Sequence, residues 1–158
     1  AAYCNRPYYL LQYAYEALPS HQTGKNTVQS PEQHDAAQSE ARARFLLSAK
    51  LHESTYEMSL NGSRQLPEYF FRNWGVAYSQ LLQLEQHPEG QAALKQRSMG
   101  AFLKYLRFDT ITTDERQQIE DAIISLIPPP VKYPASQPPP TQQQMQQQQM
   151  QQQQMQQQ

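Results

Sequence analysis

The sequence has one cysteine, Cys4, so no intrachain disulfide can form. A reducing compartment is compatible with that count. No stretch approaches the roughly 18 consecutive apolar residues that a membrane span requires, so no transmembrane helix is expected. The start lacks both Met and the basic-then-apolar pattern of a signal peptide. A chain without its Met is expected to be a fragment or a processed product. The expected compartment is therefore intracellular, cytoplasm or nucleus, with organelle targeting left open. Charge of one sign is also missing. The net charge of -1 sets up no global field for nucleic acid or a membrane surface.

Motifs for chemistry are equally sparse. His21, His34, His52 and His87 do not pair at metal-ligand spacing, and Cys4 stands alone. No Gly-rich phosphate loop occurs. Ser48, Ser54 and Ser59 have no nucleophile elbow around them. Glu115, Glu120 and Asp121 read as a solvated helix face rather than an acid/base pair. His52 falls on an apolar stripe and reads as a packed or rim histidine. Neither a cofactor nor a metal is expected, and no enzymatic activity is.

What the chain does have is apolar surface in one part only. Of 158 residues 38% are hydrophobic, and nearly all of the large ones precede residue 128. Residues 1–127 are long enough for one small core. Residues 128–158 are Pro, Gln, Ser, Thr and Met, with Val131 and Tyr133 as bulky exceptions. Such a segment buries too little to offset its ordering entropy, and a disordered low-complexity tail is expected there. Met145, Met150 and Met155 recur every five residues, a period that matches neither a helix face nor a strand face. A glutamine repeat interrupted by Met explains the pattern, and a tail that associates through glutamine side chains is the functional alternative.

Five helices and no strands are expected before the tail. Residues 7–18 form the first, capped by Asn5, with Pro7 in its first turn. Its tyrosines and leucines leave almost no polar face, so it needs cover on several sides. Residues 19–36 are a polar, flexible loop. The second helix spans 36–60, with Ala41, Phe45, Ala49, His52 and Tyr56 on one stripe, and stops at Asn61–Gly62. The third lies within 66–85. Phe70, Trp74, Ala77, Leu81 and Leu84 line one face, and Phe71 and Tyr78 widen it. Gly75 costs up to about 1 kcal/mol relative to alanine in a helix interior, so a neighbouring helix backbone is expected to pass close to it. The fourth helix, 91–108, follows a turn at 87–90. The fifth opens on a capping box at Thr112 and Glu115, and Pro128–Pro130 stop it.

The run EYFFRNWGVAY, residues 68–78, resembles the first helix of a tetratricopeptide repeat. Phe71, Asn73, Trp74, Gly75, Ala77 and Tyr78 fall in order on that helix's aromatic, Asn, apolar, Gly, Ala and Tyr positions. Trp74 stands where leucine is usual. Residues 41–61 resemble the second helix of a preceding repeat, with Ala41, Phe45 and Ala49 as packing residues. Ser98, Met99 and Gly100 depart from the alanines expected of the following helix. The resemblance extends weakly over residues 38–108, one and a half to two degenerate repeats, where a solenoid needs about three. It implies antiparallel helical hairpins and a non-catalytic scaffold that holds a protein or peptide partner, such as a partner helix, in a groove. Some members clamp a C-terminal carboxylate with Asn and Lys or Arg, and Asn73 stands at that asparagine position. Arg72 and Asn73, with Lys104 and Arg107 from the basic fourth helix, are the candidate partner contacts. Phe70, Phe71, Trp74, Gly75, Ala77, Tyr78 and Leu81 are the candidate packing residues. No recognisable nucleic-acid module is present. The alternative is a permanent structural subunit of a large assembly, favoured by the aromatic first helix.

Overall fold

A computed structural model describes residues 2–19 and 30–129, with side chains from Asn5 onward. Cys4's side chain, His21, most of the loop expected over 19–36 and the tail from residue 130 lie outside the described residues. The chain is all-helical, and among the described residues there is no strand. In order the helices are α1 (Ala2–Ala17), α2 (Pro31–Asn61), α3 (Glu68–Leu84), α4 (Pro88–Tyr105) and α5 (Thr113–Leu126). All lie in one unit, Ala1–Ile127. No helix among the described residues is long and apolar enough to cross a membrane.

Three helix starts differ from those expected, each for a local reason, while α2 stops at Asn61–Gly62 as expected. α1 starts before Asn5, which is therefore no cap; its amide oxygen instead accepts from the Tyr69 hydroxyl at 3.1 Å. Pro7 sits inside the helix, fully buried. α2 begins at Pro31 rather than Ala36. Ser30 is its N-cap, Pro31 pre-sets the first turn, and Gln33 completes a capping box. α2 ends with neither Asn61 nor Gly62 in the left-handed region. Ser63 takes that conformation, at φ 52°, and Arg64 N–H reaches back to Ser59 O at 3.1 Å. α4 starts at Pro88, so the turn expected at 87–90 is already its first turn. The Thr112–Glu115 capping box is formed at the head of α5.

The first four helices run antiparallel, each to the next. Ser48 of α2 donates to Pro7 O at 2.9 Å, and Arg44 of α2 donates to Tyr13 O further along α1 at 2.9 Å. Tyr56 lies beside Phe71, whereas Arg42 meets Glu85. Ser98 pairs with Ser79, whereas Phe108 lies beside Phe71. α3 is central, packing on α2 and α4 and touching α1.

The tyrosines of α1 are not covered on several sides. Its buried stripe is Pro7, Leu11, Ala14 and Ala17, and Tyr8, Tyr9 and Tyr13 face outward, Tyr9 at 65% exposure. Small side chains let α1 sit close on α2, and of the α1 tyrosines Tyr15 packs into that contact, edge-on to Phe45 of α2 with ring centres 5.2 Å apart. The core is aromatic instead around α3. Phe70, Phe71, Trp74 and Tyr78 form a chain of tilted and edge-on rings with centroids 5.4 to 6.1 Å apart, joined by Tyr56 at 5.2 Å from Trp74. Such pairs contribute roughly 0.5–1.5 kcal/mol each beyond the area they bury. The Trp74 indole N–H is buried and makes no well-aligned hydrogen bond. Tyr78 donates to Glu53, and burial first, then that bond, pushes its hydroxyl pKa up.

Gly75 is where α4 comes closest. A Cβ there would meet Cγ of Phe102 at 2.9 Å and other atoms of the ring closer still. The neighbour is thus a ring laid on the helix, rather than a bare backbone. One turn earlier on α4, Ser98 donates to Gly75 O at 2.9 Å. Ser98 therefore does the work expected of an alanine and adds a hydrogen bond. Gly100 has no neighbour within 4 Å of where a Cβ would be and marks no close approach. Gly75→Ala should lower stability in urea denaturation by about 1–3 kcal/mol, because overpacking outweighs helix propensity. In a Phe102→Ala background the same change should instead stabilise by up to about 1 kcal/mol.

His52 is in the core, 1% exposed, with its ring 5.0 Å from Phe70. Its Nδ1 lies 2.8 Å from Ser48 O, a pure acceptor, so Nδ1 carries a proton. Burial lowers its pKa from 6.5 to about 4, against a weaker raising effect of that bond. A lowered histidine pKa means that the unfolded chain takes up the proton first. Stability is therefore complete above about pH 6.5 and falls as pH drops towards 4, by about 3 kcal/mol in the limit. Urea titrations across that window should show the loss, and His52→Gln should flatten the pH dependence while lowering stability at neutral pH.

Candidate functional site

Antiparallel packing brings the end of α2, the start of α3 and the end of α4 to one place. Tyr56 comes from the last turns of α2, Phe71 from the first turn of α3, and Lys104 from the last turn of α4. Arg107 and Phe108 follow in the turn after α4. These five residues line a cleft of about 250 Å³. Its floor is aromatic: Phe71 lies 5.9 Å from Tyr56 and 5.7 Å from Phe108, ring centre to ring centre. Phe71 is only 8% exposed, so it forms the bottom, and the half-buried Tyr56 and Phe108 form the walls. Lys104 Nζ stands 5.6 Å from the Tyr56 ring centre, within reach of a cation–π attraction. Arg107 is exposed at the rim.

No carboxylate lines this cleft. Among the described residues the ion pairs are Arg42–Glu85, Arg44–Glu40 and Arg97–Glu53, and neither Lys104 nor Arg107 takes part. Glu53, one turn before Tyr56, is occupied by Tyr78 and Arg97. Cations are also favoured at helix C-termini, where they offset the exposed carbonyls. Lys104 stands in the last turn of α4. The carbonyls just past that helix are bound by Arg116 of α5, whose guanidinium donates to Leu106 O at 3.0 Å and Phe108 O at 3.3 Å. Neither Lys104 nor Arg107 is tied to a carbonyl there.

Arg72 and Asn73 lie elsewhere. Arg72 is exposed on the side of α3 turned to α5, where its charge lowers the pKa of Glu115 and opposes the rise at Tyr105. The larger cause at Glu115 is the Thr112 N–H of the capping box, and at Tyr105 it is burial. Asn73 is half-buried, one position and about 100° round the helix from Arg72. It belongs to the edge where Tyr69 and Gln80 meet Asn5 and Tyr15 of α1. The four candidate contacts thus fall in three places: Lys104 and Arg107 together at the cleft, and Arg72 and Asn73 each apart from it and from one another. The packing candidates on α3, Phe70 to Leu81, are buried, and Phe71 is the one that also floors the cleft. Tyr56 and Phe108 went unnoticed as site residues because they are distant in sequence and meet only across three helices.

A second, polar cavity of about 410 Å³ lies where α2 meets the α3–α4 turn. Glu85 organises it, accepting from the N–H groups of Gln86 and His87 at 3.1 Å and from Arg42 at 2.9 Å. The His87 N–H, then Arg42, hold the Glu85 pKa below its usual value. These bonds close the turn, and a Cβ on Gly90 would strike that carboxylate at 2.8 Å. Among the described residues no three His, Cys, Asp or Glu side chains converge as a metal site would require.

Comparison with protein-family models, with curated proteins and with solved structures gives no match. Arg116→Met should cost about 1–2 kcal/mol in urea denaturation by stranding the Leu106 and Phe108 carbonyls, with Arg116→Lys recovering part of it.

Proposed function

We propose that this chain is a non-catalytic interaction module that holds a peptide or partner helix against its helical array. The observation that carries this reading is the cleft of Tyr56, Phe71 and Phe108, open to solvent and edged by unpaired Lys104 and Arg107. Apolar floors with a few placed polar groups are how proteins anchor partner side chains. A cleft of about 250 Å³ is smaller than most small-molecule sites, which start at roughly 300 Å³. It suits one or two side chains of a larger ligand. A tetratricopeptide-like stacking belongs to the same proposal. In its support, the first four helices run antiparallel in turn, α3 touches both α1 and α2, and Gly75 and Ala77 are buried against neighbours.

The second reading, a permanent subunit of a larger assembly, has its own support. Tyr9, Leu60, Ile124 and Ile127 are each more than half exposed, on α1, the end of α2 and the end of α5. Sedimentation of the full chain alone separates the two. A folded monomer is expected from the module, and aggregation relieved only by a fixed partner is expected from the subunit. Capture from a lysate should yield a protein that Phe108→Ser no longer retains, with the helical circular dichroism unchanged. Turnover of any substrate would overturn both readings.

A further inference from the structure

We propose that the cleft recognises an acidic segment of a partner protein, one apolar side chain of which lodges between Tyr56 and Phe108 while flanking carboxylates meet Lys104 and Arg107. This rests on the reading of the chain as an interaction module and adds the chemistry of the partner.

The argument starts from charge. Lys104 and Arg107 are three apart across the end of α4, so they edge one side of the same opening. Like charges at that spacing repel one another. Nothing in the described residues compensates them: Glu53 is engaged by Tyr78 and Arg97, and no carboxylate lines the cleft. Nor do they bind the carbonyls of the turn after α4, which Arg116 takes. Two cations with no carboxylate partner, Lys104 set beside the Tyr56 ring, edge an open aromatic wall and are complementary to an anion joined to apolar surface. Arg107 can grip a carboxylate through two parallel N–H bonds, and Lys104 can meet one as a point charge while its stem lies along Tyr56.

The size of the cleft decides what bears that anion. A volume of about 250 Å³ accepts a leucine- or phenylalanine-sized side chain and not a folded surface. Aromatic rings with cations also suit single-stranded nucleic acid, where bases stack and phosphates pair. That binding mode needs a basic track several nucleotides long. Here the cations are two, on one edge, in a chain of net charge -1. An acidic peptide is the better match.

The test is selection of a random peptide library on the full chain, run in parallel on Lys104→Glu/Arg107→Glu and on Lys104→Gln/Arg107→Gln. All three proteins are first compared by circular dichroism and thermal melting. Arg107 is exposed, and the half-buried Lys104 gives up only its contact with the Tyr56 ring, so the fold should hold, and the neutral pair guards against a failure specific to charge reversal. The expected result is enrichment of sequences with Asp or Glu within a few positions of Leu, Phe or Trp. A labelled peptide from that pool should bind wild type in a salt-sensitive manner and the charge-reversed protein at least about tenfold more weakly. Phe108→Ala should weaken the same peptide without altering its salt dependence. Peptides that bind wild type and both double variants equally would place the contact elsewhere and overturn this assignment while leaving the interaction module standing. Tighter binding of labelled oligo-dT than of any acidic peptide, lost in the double variants, would make the cleft a nucleic-acid site. Enrichment of nothing above an unrelated control would remove this proposal and the module reading together.

Discussion

The packing of α4 on α3 at Gly75 is the constraint on which the rest of the structure depends. Phe102 lies where a side chain would otherwise be, and Ser98 binds the glycine's own carbonyl. The two interactions fix both the separation and the axial register of the helices. A shift of α4 by one residue would rotate Ser98 and Phe102 about 100° off the contact. Register in turn sets where α4 ends, and hence that Lys104, Arg107 and Phe108 arrive beside Phe71 rather than past it. A polar bond buried at a helix crossing specifies geometry more sharply than apolar area does, since the alternative registers strand the hydroxyl.

The α1–α2 contact repeats this device in simpler form. Ser48 is fully buried and bonds Pro7 O, with Ala14, Ala17, Ala41 and Ala49 packed around it. Small residues and one hydroxyl bring the helices together, with Tyr15 edge-on to Phe45 beside them, while Tyr8, Tyr9 and Tyr13 face outward. The aromatic surplus collects around α3, which has helices on several sides and room for rings between them. The cleft is where that aromatic layer reaches the surface: Tyr56, Phe71 and Phe108 continue the chain of rings that begins at Phe70 and Trp74. Its floor is held by the core, so its shape is preorganised, and a partner side chain entering it would displace water and not protein.

Polar residues divide the ends of the helices among themselves. Ser30 and Thr112 close N-termini with capping boxes, Ser63 turns the chain after α2, and Arg116 takes two carbonyls of the turn after α4. Glu85 gathers the α3–α4 turn through backbone N–H groups and Arg42. With those tasks assigned, the cations that remain without one stand out. Chemical interest in Lys104 and Arg107 comes from this remainder, and a count of basic residues on α4 could not have supplied it.

Local pattern determined the helices. The 3.6-residue stripes of α3 and α5, the Thr112–Glu115 box and the prolines from Pro128 are short-range signals, because helix bonds and caps join residues three or four apart. Ser30, Pro31 and Gln33 carried an equally local start signal for α2, and its stop falls at Asn61–Gly62 as the pattern implied, with Ser63 taking the left-handed turn. Tertiary structure alone decided which faces were used. The sequence marked Gly75 as a close approach, but that a ring rather than a backbone fills it depends on Phe102, which is distant along the chain. It likewise grouped Arg72 and Asn73 with Lys104 and Arg107 as polar candidates. The structure parts them because two residues adjacent on a helix point about 100° apart, and because a surface is made by whichever helices the core has drawn alongside.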